Sequence, residues 1–433
     1  MRILYANGID ELAFMDKLKA RKGGADPRIA ADVSAIIADV KRNGDAAVDK
    51  YTLAFDGELP QAREIPREEF RLAAEKLSPA LLGAMERAAA NIRAYHKKQA
   101  PAPFEERLDN GVILGRRCRG LHRVGLYVPG GKAAYPSTVL MNAIPAVIAG
   151  VGEIIMATPP QKGGQTDPAV LAAAAIAGVD RIFLAGGAQA VAAMAYGTET
   201  IPKVDKIVGP GNVYVETAKK WIYGEVDIDM TAGPSEILIL ADDTANPAFV
   251  AADLLSQAEH DEMACSILVT HSKVLADRVI AEIDRQKAVL PRKAIIDRAL
   301  ADYGAVVITA GVEESVRLAN LLSPEHLEVM LPNPMEYLDR LDNAGSVFLG
   351  EYAPEPLGDY YAGPNHVLPT GQTARFFSPL SVESFLKYYS YTYYPQEALL
   401  EAVGDISQMA DHEGFAAHAR AVTIRREDKA NGI

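Results

Sequence analysis

Two consecutive series of short apolar runs, separated by alanine-rich segments of helical character, predict an α/β protein with two doubly wound, Rossmann-like parallel-sheet domains. The first series comprises 125–128, 153–157, 181–185, 206–208 and 226–230, and the second 236–241, 266–270, 305–309, 327–330 and 346–349. A third observation completes the outline. Helical periodicity runs through the hundred residues before the first series, and the chain changes character again after Arg375. An N-terminal helical segment and a small C-terminal tail therefore flank the two sheets.

Residues 1–24 read as an arm. After Asp26-Pro27, Ile29, Val33, Ile36, Ile37 and Val40 recur at helical spacing, and Asn43-Gly44 supplies a stop. Ser78-Pro79 opens a second helix, with Leu81, Leu82, Met85, Ala89 and Ile92 along one stripe. Asp109-Asn110-Gly111 is a turn, followed by alternating Val112 and Leu114. Residues 25–125 are expected to join 236–375 in one discontinuous α/β domain, with 126–235 forming the other. Beyond Ser378-Pro379, Tyr388 to Tyr394 reads as an extended stretch, and two helices follow. This tail, 376–433, is too short for a substantial core and should pack on another surface.

The 433 residues are 49% apolar and 23% charged, a globular balance that excludes a wholly disordered or fibrous chain. Lys and Arg number 44 against 57 Asp and Glu, and the net charge of −13 gives no electrostatic footprint for nucleic acid. No apolar stretch approaches the roughly 20 residues of a membrane helix. Asp10 and Glu11 interrupt the N-terminus before a secretory signal can form, so the expected location is the cytoplasm. Cys118 and Cys265 stand far apart without a CxxC pattern, which argues against a disulfide framework or a sulfur-rich zinc site; both read as small core residues.

No GxGxxG or GxxxxGK[ST] occurs; in the nearest approach, Gly209-Pro210-Gly211-Asn212-Val213-Tyr214, Tyr214 takes the third glycine position. Glycine turns do follow successive strands, at Pro129-Gly130-Gly131, Gly186-Gly187-Ala188-Gln189 and Gly209-Pro210-Gly211-Asn212. In an open α/β sheet, ligands sit beyond the carboxyl ends of the strands, where such loops converge, although any one loop alone is ordinary turn chemistry.

Of the eight histidines, His96 and His271 read as surface residues and His122 has no distinctive partner. Gln257 and His260 lie one turn apart on one helix face. Such an oxygen and nitrogen pair suits a borderline metal such as zinc, though most such pairs are capping or surface contacts. Glu325-His326 sets a carboxylate beside an imidazole at a strand entrance. Two groups that titrate differently suit acid–base work, the plainer alternative being a loop pair facing opposite ways. Asp359 falls in a polar, glycine-rich loop ahead of Gly363-Pro364-Asn365-His366. Glu413 and His418 read as lying on the last helix, five residues and about 140° apart, able to flank one bound molecule.

Taken together, these stretches resemble histidinol dehydrogenase, the family of the last two steps of histidine biosynthesis. The resemblance covers nearly the whole chain and is carried by Tyr127-Val128-Pro129-Gly130-Gly131-Lys132, 207–212, 229–236, 254–261, 323–327, 357–369 and 413–418. It implies a zinc-dependent oxidation of L-histidinol to L-histidine through L-histidinal, with two NAD⁺ reduced in succession and one zinc per subunit. By position it implies Gln257, His260, Asp359 and His418 as zinc ligands and Glu325 and His326 as acid–base residues. Ser235, His326, Glu413 and the metal ligands would hold substrate; Tyr127, Gln189 and Asn212 would face NAD⁺, which puts the cofactor on the 126–235 domain. It further implies a homodimer whose C-terminal tail completes the partner's zinc site. The competing expectations are a paralogous NAD-dependent dehydrogenase of another small alcohol such as a sulfonated diol, a zinc hydrolase using Glu325 to activate water, and a non-catalytic protein that keeps the fold.

Overall fold

The computed structural model describes residues 1–21, 27–130, 134–161 and 163–430; Gly131 and Lys132 of the first glycine turn and the chain end at 431–433 lie outside the described residues. Contacts divide the chain into two units, 1–100 with 121–385, and 101–120 with 386–433.

The first unit opens with β1 (Arg2–Tyr5), α1 (Asp10–Ala20) and α2 (Pro27–Asp56). Helical geometry breaks at Gly44, φ +52°, so the expected stop is a kink between two helical runs. β2 (Glu64–Ile65), α3 (Arg67–Leu72) and α4 (Pro79–His96) follow. Ser78 caps α4 by accepting from the Leu81 N–H at 3.3 Å, and Pro79 occupies the first turn, where no N–H is needed. β3 (Phe104–Arg107) and β4 (Ile113–Gly120) belong to the second unit. The first alternating series is β5 (Arg123–Tyr127), α5 (Pro136–Ile148), β6 (Glu153–Thr158), α6 (Pro168–Ala177), β7 (Arg181–Leu184), α7 (Gly187–Tyr196), β8 (Lys206–Val208), α8 (Val213–Ile222) and β9 (Asp227–Ile228). The second is β10 (Glu236–Ala241), α9 (Pro247–Ala258), β11 (Cys265–Thr270), α10 (Lys273–Lys287), α11 (Lys293–Tyr303), β12 (Gly304–Ile308), α12 (Val312–Leu322), β13 (His326–Met330), β14 (Ser346–Leu349) and α13 (Glu355–Tyr360).

These strands form two six-stranded sheets, ordered β2-β7-β6-β5-β8-β9 and β1-β12-β11-β10-β13-β14. Every pairing is parallel except that of β2 with β7. Leaving out the edge strands β2 and β1, each sheet has the doubly wound order 3-2-1-4-5, with its switch point between β5 and β8 or between β10 and β13. The fold is therefore the α/β pair of parallel sheets that the alternation predicts.

Helices cover both faces, but their assignment differs from expectation. Val33, Ile36, Val40 and Val48 of α2 pack with Val191, Val215 and Ile222 of α7 and α8 on the first sheet, and the alanines 190, 192, 193 and 195 let these helices approach closely. Strand β2 joins that same sheet. Phe14, Met15 and Leu18 of α1 pack on the second sheet with Leu238, Val316 and Leu327, while α9, α10 and α11 cover its other face. Residues 27–96 thus belong with the first sheet rather than with 236–375, and 1–20 is a strand and helix of the second sheet rather than an arm. An apolar stripe declares that a helix is buried but not against which sheet.

Seven residues, 229–235, connect the carboxyl end of β9 to the amino end of β10. Fully extended, they span at most roughly 25 Å. The carboxyl end of β9 and the amino end of β10 are therefore held within about that distance.

In the second unit, β15 (Leu386–Tyr393) pairs antiparallel with β4, and β4 with β3 around the 109–111 turn. The tail thus draws part of its support from 101–120. α14 (Gln396–His412) and α15 (Ala416–Ala430) pack on each other. No described helix is long and apolar enough to cross a membrane.

Candidate active site

Strands β10 and β13 are neighbours in register, Ile237 opposite His326, so the residues just before them meet at the amino edge of the second sheet. The main chain of Glu236 fastens both members of the expected acid–base pair. Its N–H donates to Glu325 Oε2 at 2.8 Å, and its carbonyl accepts from His326 Nδ1 at 3.0 Å. A carbonyl can only accept, so the proton is on Nδ1 and Nε2 is left as an acceptor. Nε2 is buried and makes no hydrogen bond. The Glu236 side chain is in turn held by the buried Arg21, whose Nη1 also donates to the Met263 carbonyl at 2.6 Å. Ser235 is half-buried and its carbonyl accepts from the Cys265 N–H at 2.9 Å, leaving the hydroxyl at the same edge.

Burial pushes Glu325 well above the usual carboxylate range; the Glu236 N–H opposes this, and the charges of Glu236 and Asp359 add to it. Burial lowers His326 to about 4, which makes it a neutral imidazole at physiological pH. The plainer alternative, a pair facing opposite ways, does not hold: His326 Nδ1 and Glu325 Oε2 are 3.5 Å apart.

Asp359 lies in the short helix α13, not in the loop expected for it, one turn after Glu355. Burial alone would raise Asp359, but hydrogen bonds from His366 and Glu355 and the neighbouring His366 and His326 hold it low, so it is the charged member of the group. Glu355 is raised by burial and by Asp359, and its Oε1 stands 3.8 Å from His326 Nε2. Ligand atoms of His326, Glu355 and Asp359 all lie within 4.8 Å of one another, a group able to hold a cation. Of the expected zinc ligands, Asp359 belongs to it. Gln257, near the end of α9, is fully buried with neither amide atom hydrogen-bonded. Such an amide costs roughly 1–3 kcal/mol per unmet group unless something binds there. His260 follows α9 at the surface, its N–H on the Gln257 carbonyl at 3.2 Å. An unmet amide oxygen, an anionic carboxylate and imidazole nitrogen are a donor set that fits zinc.

The three expected cofactor residues lie at the carboxyl edge of the first sheet. Tyr127 ends β5, is buried, and accepts on its hydroxyl from the Gly187 N–H at 3.0 Å; burial pushes it up to about 12. Gln189, in the first turn of α7, is buried with Oε1 unpartnered. Asn212 caps α8, its Oδ1 accepting from the N–H groups of Tyr214 and Val215 at 3.0 and 3.2 Å, and it is otherwise exposed. Gly209 has φ +110°, and a Cβ there would stand 2.2 Å from the Tyr127 carbonyl oxygen, so only glycine lets this turn lie against β5. Backbone approach and amide side chains here fit a dinucleotide without the usual fingerprint.

Glu413 and His418 are in the second unit, both exposed. They are not on one helix: Glu413 is the cap residue just after α14, Gly414 turns the chain at φ +79°, and His418 lies in α15 with its ring 5.1 Å from that of Phe415. The reading of His96 as a surface residue also fails, since it is fully buried with Nδ1 2.9 Å from the Ile92 carbonyl. The sequence reading passed over Glu236 and Glu355. Glu355 gave a usable signal, one helical turn before Asp359, but Glu236 acts through its main chain and gave none.

A family model described as histidinol dehydrogenase matches residues 19–426. The histidinol dehydrogenase of Clostridium acetobutylicum is 52% identical over 425 residues, covering 98% of this chain and 99% of that one. That of Moorella thermoacetica is 54% identical over 413 residues, covering 95% and 96%. The crystal structure of histidinol dehydrogenase from Elizabethkingia anophelis superposes with a TM-score of 0.93 at 37% identity, covering 99% of each chain. The chain belongs to the histidinol dehydrogenase family.

Proposed function

We propose that this protein oxidises L-histidinol through L-histidinal to L-histidine, reducing two NAD⁺ in succession, as a zinc enzyme of the cytoplasm. The observation that carries the reading is the attachment of Glu325 and His326 to the main-chain N–H and carbonyl of one residue, Glu236, together with Asp359 and the unpartnered amide of Gln257.

Gln257, His260 and Asp359, with His418 of the partner subunit, would hold the zinc, whose chemistry there would be to orient the substrate. Tyr127, Gln189 and Asn212 would hold NAD⁺, which would supply the hydride acceptor for each step. His326 takes the hydroxyl proton on Nε2 as the alcohol carbon loses hydride, and its Nδ1–H on Glu236 keeps the ring oriented throughout. The aldehyde must add water before a second hydride can leave. Glu325, made more basic than an ordinary carboxylate by burial, is suited to take the proton from that water. A positioned base of this kind is worth about 10²–10⁴-fold. The short 229–235 link would keep a substrate bound beside Ser235 tied to the carboxyl end of β9. Ser235 and Glu413 would bind the substrate's polar groups.

NADH formation with L-histidinol, compared with a sulfonated diol, tests the substrate. Turnover of the diol alone would transfer the site to the paralogous reading, and hydrolytic activity without NAD⁺ binding would favour a zinc hydrolase.

A further inference from the structure

Beneath the Gly209–Asn212 turn lies a cluster of charged side chains that the chemistry above does not use. Lys219 of α8 is fully buried. Its Nζ stands 2.6 Å from Asp229 Oδ1 and 3.5 Å from Glu216 Oε1, and donates to the Gly209 carbonyl at 3.0 Å. Asp229 Oδ2 accepts from the N–H of the same glycine at 2.8 Å, and its Oδ1 accepts from the Met230 N–H at 2.7 Å. Glu216 Oε2 accepts from the Ala232 N–H at 2.8 Å. Both polar groups of one peptide residue are thus held by an ion pair. The same cluster holds two N–H groups of the 229–235 link that leads to Ser235.

Burying such a cluster is expensive, and an apolar trio of similar volume would often fold as well. What an apolar trio could not do is fix the carbonyl and the N–H of Gly209, a residue at φ +110°. Three residues further on stands Asn212. We propose that Lys219, Asp229 and Glu216 are positioning residues for cofactor binding: they clamp Gly209 and so set the turn that presents Asn212 to NAD⁺, in register with the link to the substrate edge. This rests on the reading that the turn binds NAD⁺.

NADH titration of the zinc-loaded enzyme by fluorescence, alongside steady-state kinetics, tests the clamp. Lys219→Met should weaken NADH binding and raise KM for NAD⁺ by about tenfold, the loss expected when a charge-assisted hydrogen bond to the turn is removed. KM for L-histidinol and zinc content should stay unchanged. Because the single variant strands the Asp229 carboxylate, Lys219→Met/Asp229→Asn is measured as well; it leaves the net buried charge unchanged and should show the same selective loss. Lower thermal stability with wild-type NADH affinity in the folded double variant would overturn the proposal and leave the cluster a purely structural one. Asn212→Ala separates the two layers of the argument. If it too leaves NADH binding unchanged, the turn is not the cofactor site; if it weakens binding while the Lys219 variants do not, only the clamp is refuted.

Discussion

His326 donates from Nδ1 to the main-chain carbonyl of Glu236 at 3.0 Å, and this contact leaves Nε2 as the ring's free acceptor. The N–H of the same residue holds Glu325. The two groups are therefore set by β10, the strand next to their own, and a shift of one strand against the other would disturb both.

Substituting each member separates the half-reactions. His326→Asn can keep a donor towards Glu236 but has no Nε2, so oxidation of L-histidinol should fall by about 10²-fold or more. Glu325→Gln should impair oxidation of L-histidinal more than that of L-histidinol. Single-turnover rates with each substrate check both statements, and small, equal effects on the two steps would remove the pair from the mechanism.

Removing metal should abolish activity, and zinc should restore it. The expected ligands are nitrogen and oxygen without sulfur, so exchange should be ready and should require neutral imidazoles. The thermal midpoint should fall with the metal, because a ligand that binds only the folded state stabilises it. Full activity in protein shown to be metal-free would contradict the assignment of Gln257, His260 and Asp359.

Glu328 and Asp253 form a second buried carboxyl pair near the site. Burial raises Glu328 above its ordinary 4.5, and the Asp253 charge adds to this. The folded state therefore keeps a proton that the unfolded chain releases above the ordinary range. The unfolded chain binds fewer protons there, and stability is lost as pH rises through neutrality. Glu328→Gln removes this term. Urea unfolding at about pH 5 and about pH 8 should give a smaller loss of stability with pH for the variant, with a ceiling of ~1.4 kcal/mol per pH unit for one proton. Equal losses in both proteins would show that Glu328 is already ionised when folded.

Complementation tests a site shared between subunits. His260→Ala and His418→Ala should each be inactive. In a mixed dimer with a shared site, one site carries both defects and the other none, so random pairing should restore about a quarter of wild-type activity. No recovery, with mixed dimers confirmed by mass, would place His418 in the site of its own chain.

The ten sheet strands of the two series were legible because buried parallel strands are short apolar runs with turn residues between them. Which sheet α1 and α2 cover was not, since Phe14 and Val33 look equally buried from sequence and only tertiary packing tells them apart. Gln257 with His260 and Glu325 with His326 were visible as local pairs, but each was ambiguous alone. Their meaning came from the strand register that sets Ile237 opposite His326, and from Asp359, more than thirty residues further on. Gly414 shows the limit of spacing arguments: one left-handed residue separates Glu413, at the end of one helix, from His418 on the next.

A four-electron oxidation completed in one site has a definite stoichiometry. Zinc-loaded enzyme given limiting L-histidinol and excess NAD⁺ should form two NADH and one L-histidine per substrate molecule, without free L-histidinal accumulating. One NADH per L-histidinol, with the aldehyde released as product, would rule out a four-electron oxidation in one site.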